Sequence, residues 1–358
     1  MCAKSPPTVL HFTGSRWDGT GVHAVIRQLA QTGRYRSVLG VAPDFLAEKM
    51  PRLPVWRGPH VADDSIGPAN LWPTLRVAWQ VRRWLRRGAH RVFHGHSRAG
   101  LLVALWLWLS GERRCVVTVH VYGSNIWFYR LARHCLGRRL VWLTPAMKRH
   151  YRQAEDGWRH CLPNGLARRW VSEMHRWSGG KPLRVGGAGM LVRWKRWDLV
   201  LEALAQTSGV EFLHIGGAVE LPDSRAFESE LRARAARPDL AGRVRWLGWQ
   251  ADSSTLLGEV DVVVVPSDGE PFSMIAIEAL FAGVPVVATR RGGPEDFIIE
   301  GRNGWLVPAG DAGALAARLT RCLDPSEWQS LRLDPEHLRR FSVPETLAEC
   351  WAEIYNTF

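Results

Sequence analysis

The sequence predicts an α/β protein built of two Rossmann-like domains that face each other across a cleft. Short apolar runs, typical of buried parallel strands, alternate with longer stretches typical of helices. The alternation breaks at the turn Leu162-Pro163-Asn164-Gly165 and starts again at Leu183. Because 358 residues are enough for two domains that each bury a core, we place a first domain at residues 1–167 and a second at 168–343.

Each predicted domain contributes strands and the helices between them. In the first domain the strands are Val9–Thr13, Ser37–Ala42, Arg91–Gly95, Val116–His120 and Arg139–Leu143. Its helices are Gly21–Thr32, Leu71–Arg87, Arg98–Leu109, Trp127–Leu136 and Pro145–Tyr151. In the second domain the strands are Leu183–Gly187, Val210–Ile215, Val244–Leu247, Val262–Val265 and Pro285–Ala288. Its helices are Trp197–Thr207, Ser224–Ala236, Met274–Phe281 and Asp311–Cys322, and Pro344–Tyr355 follows them.

The composition is that of a soluble globular protein, with 46% hydrophobic and 23% charged residues. The longest apolar run, Leu101–Leu109, is about half of what a membrane-spanning helix needs. Met1–Pro7 lacks the apolar core of a secretory signal, so we expect a cytoplasmic protein. The cysteines are scattered, and His94 and His96 lack a matching cysteine or carboxylate cluster, so we expect neither a disulfide frame nor a metal site.

Charge is divided unevenly along the chain. Residues 1–165 hold 25 Lys and Arg against 8 Asp and Glu, whereas residues 166–358 hold 22 against 26. This asymmetry indicates an acidic partner for the first half, which would be a nucleic acid, an anionic membrane surface or a phosphorylated acceptor.

The helix predicted at Leu71–Arg87 combines Trp72, Trp79 and Trp84 with five arginines. Such a helix suits an anionic membrane surface, because the rings enter the headgroup region and the arginines attract it. The alternative is that the tryptophans fill the core and the arginines are solvated.

The most informative segment connects the strand Val262–Val265 to the helix Met274–Phe281. Glu270 lies in this connection, at the carboxyl end of a strand, where α/β folds bind ligands. Glu278 lies about two turns later, so both carboxylates can face one crevice. Between them, the amides near Ser273 begin the helix without intrahelical partners and can accept an anion such as a diphosphate.

This segment, with Glu270-Pro271-Phe272-Ser273 and then Glu278-Ala279, resembles the E-P-F-G-x-x-x-x-E-A pattern of the GT4 family of retaining, nucleotide-sugar-dependent glycosyltransferases. Ser273 stands where the family usually has Gly. The likeness continues through Gly292-Gly293 and Gly304-Trp305-Leu306-Val307. The resemblance implies the two-domain GT-B fold, in which a last helix, here 344–358, packs back on the first domain.

The resemblance also assigns roles in the second domain. It implies that Glu270 is catalytic and contacts the donor sugar, and that Glu278 binds the ribose hydroxyls. The amides at Ser273 and Met274 would hold the diphosphate. Lys195 matches the lysine that neutralises it, whereas Met190 stands at the family's arginine, and we expect Arg193 or Arg196 to supply that charge.

Three candidates come from the first domain. Gly19 and Gly21 lie in a loop that resembles the family's glycine loop near the donor phosphates and the acceptor, and a plain turn is the alternative. His120, in Thr118-Val119-His120, resembles the family's catalytic T-x-H-G histidine that reaches the sugar, and a structural histidine is the alternative. His96, at another strand end, is expected to line the acceptor cleft or to cap the helix after it.

The sequence therefore predicts a retaining, metal-independent glycosyltransferase. It would move a sugar from a nucleotide-diphosphate sugar to a bacterial cell-envelope glycan or lipid-linked acceptor. We expect no cofactor beyond the donor substrate, no nucleic acid, and peripheral contact with the inner face of the cell membrane. Two alternatives stay open, namely a noncatalytic basic nucleic-acid-binding protein and a sugar-nucleotide epimerase on the same fold.

Overall fold

The computed structural model describes residues 6–16, 21–46, 53–62, 66–221 and 223–358. They form two compact units: one runs to Arg168 and takes in Arg339–Phe358, and the other spans Arg169–Leu338. Each unit contains a six-stranded sheet, and all the strand pairs in both sheets are parallel among the residues described. The predicted α/β class, with two Rossmann-like domains, is confirmed.

The first unit carries its sheet in the order β3-β2-β1-β4-β5-β6. Its strands are β1 (Thr8–Phe12), β2 (Arg36–Val41), β3 (Val55–Arg57), β4 (Arg91–Gly95), β5 (Cys115–Val119) and β6 (Leu140–Trp142). Its first five helices are α1 (Gly21–Ala30), α2 (Leu71–Arg86), α3 (Arg98–Leu109), α4 (Ile126–Leu136) and α5 (Pro145–His150). The strand order reverses between β1 and β4, and such a switch point is where open α/β sheets bind ligands.

The second unit repeats this plan in the order β12-β11-β10-β7-β8-β9. Its strands are β7 (Leu183–Ala188), β8 (Val210–Ile215), β9 (Val244–Trp246), β10 (Val262–Val265), β11 (Val286–Thr289) and β12 (Gly304–Val307). Its helices are α6 (Trp197–Ala205), α7 (Ser224–Ala235), α8 (Ser254–Leu257), α9 (Met274–Phe281), α10 (Ala312–Cys322) and α11 (Pro335–Arg339). Here the switch point lies between β7 and β10.

The last helix, α12 (Ala348–Asn356), belongs to the first unit and follows a π-helical turn at Val343–Leu347. The hydroxyl of Tyr355 lies 2.6 Å from Nδ1 of the buried His94 on β4. Arg34 pairs with Glu349 at 2.8 Å. The α-helix begins four residues later than the sequence predicts, because the π turn takes the segment after Pro344.

The sequence did not predict β3, β12, α8 or α11. Each of them is three to five residues long, too short for a hydrophobic period to appear. Strand β3 also follows a proline and sits at the sheet edge, where pairing on one side is enough to form it. By contrast, β10 is a run of four buried valines, which is typical of an interior parallel strand.

Candidate active site

The switch point of the second sheet holds a buried ion pair. Glu270 lies in the loop after β10, and Lys195 lies in a 3-10 turn after β7. Nζ of Lys195 is 2.5 Å from Oε2 of Glu270, and their side chains are 14% and 9% exposed. Ser267 donates a hydrogen bond to the same oxygen at 3.1 Å. The fold thus brings two predicted site residues together where ligands bind in such sheets.

Ser273 starts helix α9 in a left-handed conformation, with φ of 75°. This region suits glycine best, which gives a physical reason for the glycine in the GT4 pattern. The Ser273 hydroxyl is buried and has no hydrogen-bond partner among the described residues. The first amides of α9 also lack intrahelical partners, so this end of the helix offers several donors to an anion.

Met274 and Glu278 occupy the accessible face of α9. Both are half-buried, whereas the other six residues of the helix are buried. Because they are four positions apart, they lie one above the other on the helix surface. The predicted ribose ligand is therefore on the side of the helix that a ligand can reach.

The two arginines predicted to replace the missing family arginine are both bound to carboxylates. Arg193 makes a bidentate pair with Glu230 on α7, at 2.7 and 3.0 Å. Arg196 pairs with Asp198 at 3.0 Å and, across to the loop before Glu270, with Asp268 at 3.0 Å. Arg196 is therefore tied to the loop that carries Glu270, whereas Arg193 is tied to a neighbouring helix.

In the first unit, a cavity of about 280 Å³ lies at the carboxyl ends of β1, β4 and β5. It is lined by polar groups that include His96, His120, Ser15 and His23. The cap of α3 is Ser97, whose hydroxyl accepts a hydrogen bond from the amide of Gly100 at 3.0 Å. Of the two roles expected for His96, the structure gives it the lining of the cavity.

The predicted glycine loop is only partly described. Gly19 lies outside the described residues. Gly21 begins helix α1 and is exposed, next to Val22, which lines the cavity. The position of Gly21 therefore fits a loop at the edge of this cavity.

His96 and His120 belong to a cluster of neutral imidazoles. Nδ1 of His96 lies 3.1 Å from Nε2 of His120, and Nε2 of His96 lies 3.0 Å from Nδ1 of His11 on β1. Burial lowers the pKa of His11 and of His120 to about 3, and it lowers the pKa of His96 well below its usual value. At neutral pH these rings hydrogen-bond without carrying charge.

The structure adds a third histidine to the two that the sequence singled out. The sequence shows no cysteine or carboxylate cluster to match His94 and His96, and in the structure nitrogens of His11, His94 and His96 lie within 4.8 Å of one another. The reason is the register of the parallel pair β1–β4, which sets His11 beside His94. Sequence reasoning missed His11 because it cannot read that register.

Helix α2 exposes two of its tryptophans, Trp72 at 63% and Trp79 at 59%. Arg76 and Arg83 lie over these rings, at 5.7 and 4.7 Å from the ring centres. The alternative, that the tryptophans of this helix fill the core, is therefore wrong for these two, and aliphatic residues such as Val77 fill that role. Among the described residues, no helix combines the length and apolarity needed to cross a membrane.

Sequence comparison identifies a family and relatives of this chain. Residues 182–325 match the family model described as Glycosyl transferases group 1. The lipopolysaccharide core biosynthesis glycosyltransferase LpsE of Rhizobium meliloti is 35% identical over 128 residues, which are 36% of this chain and 36% of that protein. A phosphatidyl-myo-inositol mannosyltransferase of Mycobacterium leprae is 27% identical over 85% of this chain and 83% of its own.

Solved structures match the fold over nearly the whole chain. HepE of Anabaena, in complex with UDP and glucose, has a TM-score of 0.74 and 21% identity, with 98% of this chain and 100% of that chain covered. The lipopolysaccharide outer core galactosyltransferase WaaB has a TM-score of 0.70 and 17% identity, with 98% and 100% covered. These matches do not favour the nucleic-acid-binding or epimerase alternatives. The predicted resemblance is thereby confirmed: in fold this is a GT-B protein, and in sequence it is similar to the group 1 glycosyltransferases of the GT4 family.

Proposed function

We propose that this protein is a retaining glycosyltransferase that moves a sugar from a nucleotide-diphosphate sugar to a cell-envelope glycan or lipid-linked acceptor. The observation that carries the proposal is the Lys195–Glu270 pair at the switch point of the second sheet. Glu270 comes three residues before Ser273, where helix α9 presents its unpaired amides. A cation, a carboxylate and amide donors are the groups that a sugar diphosphate requires.

The chemistry is set by where charge develops. Transfer breaks the bond between the anomeric carbon and the diphosphate, so negative charge grows on the leaving group. Lys195 and the first amides of α9 stabilise that charge, which makes the proposed reaction independent of a metal ion. When the diphosphate takes Lys195, Glu270 leaves its ion pair and accepts hydrogen bonds from the donor sugar.

The remaining roles complete the proposal. Glu278, on the accessible face of α9, accepts both ribose hydroxyls of the nucleotide. The acceptor hydroxyl attacks from the face that the diphosphate leaves, and a phosphate oxygen takes its proton, so the configuration is retained. His120 contacts the sugar from the cavity of the first unit.

The relatives support the substrate classes. HepE structures hold UDP and UDP-glucose, which supports a nucleotide sugar as the donor. The names of LpsE and of the mycobacterial mannosyltransferase support an acceptor in the envelope, either a lipopolysaccharide core or a lipid.

Contact with the inner face of the cell membrane is part of this proposal. Trp72 and Trp79 are seven positions apart, so they lie on one face of α2, and Arg76 and Arg83 accompany them. Exposed indoles with arginines on one helix face are suited to an anionic interface. This arrangement would hold the enzyme near a lipid-linked acceptor.

Calorimetric titration with UDP and GDP tests the donor site. We expect saturable binding of at least one nucleotide, weakened about tenfold or more in Glu278→Ala, because a charged group loses its hydrogen bonds to the ribose. Glu336→Ala, at an exposed position on α11, is the matched control and should bind as the native protein does. Binding of oligonucleotides without binding of either nucleotide diphosphate would contradict the proposal.

A further inference from the structure

A row of three imidazoles runs from the cavity of the first unit into its sheet. His120 lies on the cavity wall, and its Nε2 is 3.1 Å from Nδ1 of His96. Nε2 of His96 is 3.0 Å from Nδ1 of His11, and Nε2 of His11 is 3.4 Å from the hydroxyl of Ser37 on β2. In each contact, therefore, Nε2 of one ring faces the next group inward, and between rings that group is always Nδ1.

This order restricts where the protons are. A neutral imidazole carries one N–H, and a hydrogen bond between two ring nitrogens needs one proton and one lone pair. If His120 carries its proton on Nε2, His96 and His11 must carry theirs on Nε2 as well. If His11 carries its proton on Nδ1, the other two must also do so. Neutral rings in this arrangement must therefore all be in the same tautomer, with the proton on Nδ1 in all three or on Nε2 in all three.

We propose that His120, His96 and His11 act as one coupled chain whose shared tautomer sets whether Nδ1 of His120 donates or accepts a hydrogen bond at a ligand in the cavity. His11 and Ser37 do not line the cavity and are positioning residues in this chain. The ligand class, a sugar hydroxyl, rests on the proposed function, and it suits either form because a hydroxyl both donates and accepts.

A second contact holds the middle ring in place. The ring of His94 lies 3.9 Å from that of His96, measured between centroids. The nitrogens of His94 are held by Thr118, at 2.8 Å, and by Tyr355, at 2.6 Å. His96 is therefore packed against a ring that is itself fixed from both sides, which keeps its two nitrogens aligned with the neighbours in the chain.

The tautomers can be read directly by ¹⁵N NMR of protein labelled with ¹⁵N-histidine, with the three rings assigned from single substitutions. We expect His11, His96 and His120 to be neutral and in the same tautomer at pH 7. Two different tautomers among the three rings, or a protonated ring, would overturn the proposal. This measurement needs no substrate, so it stands even if nucleotide sugars prove not to bind and the proposed function fails.

A pair of variants tests the positioning role. His11→Phe keeps a planar aromatic ring in a somewhat larger side chain and removes both nitrogens, whereas His11→Asn keeps an amide that can donate or accept near Nδ1. We expect His120 to become a mixture of tautomers in His11→Phe and to return to one tautomer in His11→Asn. With the best donor from a nucleotide-sugar screen, kcat should fall roughly tenfold in His11→Phe and recover largely in His11→Asn, with UDP affinity unchanged.

Two further outcomes keep the test decisive. If His11→Phe does not fold, Ser37→Ala removes the inner end of the chain with a smaller change in volume, and an unaltered His120 spectrum in that variant counts against the coupling. Nitrogens of His11, His94 and His96 lie close enough together to hold one cation. A stoichiometric divalent metal in the purified protein, lost in His11→Phe, would overturn the proposal. The metal would take the lone pairs that the hydrogen bonds between the rings need.

Discussion

In the second unit the switch point between β7 and β10 holds a lysine and a glutamate in a buried ion pair, whereas in the first unit the switch point between β1 and β4 leads to neutral imidazoles and hydroxyls. The topology of the two sheets is the same. The side chains at the strand ends are not the same: the second unit offers an ion pair, and the first offers neutral imidazoles and hydroxyls together with the guanidinium of Arg98.

The difference fits the proposal that one sheet topology serves two recognition tasks through the side chains beyond its strand ends. A diphosphate needs cationic and amide donors, because its charge increases as the sugar leaves. A sugar hydroxyl carries no charge and both donates and accepts, so neutral imidazoles and hydroxyls can also bind it. This contrast is the basis for proposing that the second unit binds the donor diphosphate and that the first binds the sugar or the acceptor.

Removal of the carboxylate should have the largest effect. We expect Glu270→Gln to lower kcat by about a thousandfold, because it removes the charge that positions the sugar and stabilises the transition state. UDP affinity should be kept, since the substitution leaves Lys195 for the diphosphate. Asp268→Asn, in the same loop, is the control and should retain most turnover. Turnover within a few-fold of the native value in Glu270→Gln would remove this residue from the chemistry.

The next largest effect should show which cation of the second unit serves the leaving diphosphate. We expect Lys195→Met to lower kcat/KM by about a hundredfold, because the leaving diphosphate loses its partner. Arg193→Met should change it less than about threefold, since that guanidinium is already engaged with Glu230 at the surface. Equal losses in the two variants would show that Arg193 replaces the missing family arginine after all.

Local patterns predicted the strand and the helix on either side of Glu270 well. Strand β10 and helix α9 have the predicted bounds, and the spacing between Glu270 and Glu278 then fixes their positions on the loop and the helix. The pairing of Lys195 with Glu270 depends on β7 and β10 lying side by side, which only the sheet order shows. The likeness to GT4 proteins implied that both residues face one ligand, but it did not imply that they pair with each other.

The first unit shows what a sequence leaves open. His11 joins the cluster because β1 pairs with β4 in a register that brings it beside His94. Strand register and the side chains that it places together are long-range properties, so no local pattern carries them. The exposure of Trp72 and Trp79 is likewise set by which face of α2 meets the sheet, and the helix has apolar residues on more than one face.

A smaller effect, on binding to liposomes, should distinguish the surface of the first unit from that of the second. We expect the double variant Trp72→Ser/Trp79→Ser to bind anionic liposomes about tenfold more weakly in sedimentation at low salt, because two rings no longer enter the interface. Binding of the native protein should fall as salt rises, since the arginines contribute by attraction. Trp249→Ser, at a tryptophan that is 54% exposed in the second unit, is the control. No binding of the native protein at low salt would contradict membrane contact.

The smallest effect concerns Ser273. The proposed binding of a diphosphate and the stability of the second unit favour different side chains at this position. Its positive φ costs a side chain about 1 kcal/mol, and its buried hydroxyl lacks a partner among the described residues. We expect Ser273→Gly to raise the free energy of unfolding by about 1 kcal/mol, after allowing for the greater freedom of glycine in the unfolded chain. Ser273→Ala relieves only the hydroxyl and should gain less.

The same two variants show whether the hydroxyl serves the ligand. If it donates to a bound diphosphate, both variants bind UDP more weakly, by a few-fold, while both unfold at higher denaturant concentration. Affinity that stays unchanged in Ser273→Gly would mean that backbone amides alone hold the anion at the start of α9, as the glycine of the family pattern implies. A loss of stability in Ser273→Gly would instead show that the hydroxyl has a partner in the folded protein, and the contrast between a strained site in the second unit and the hydrogen-bonded imidazoles of the first would then be weaker than proposed.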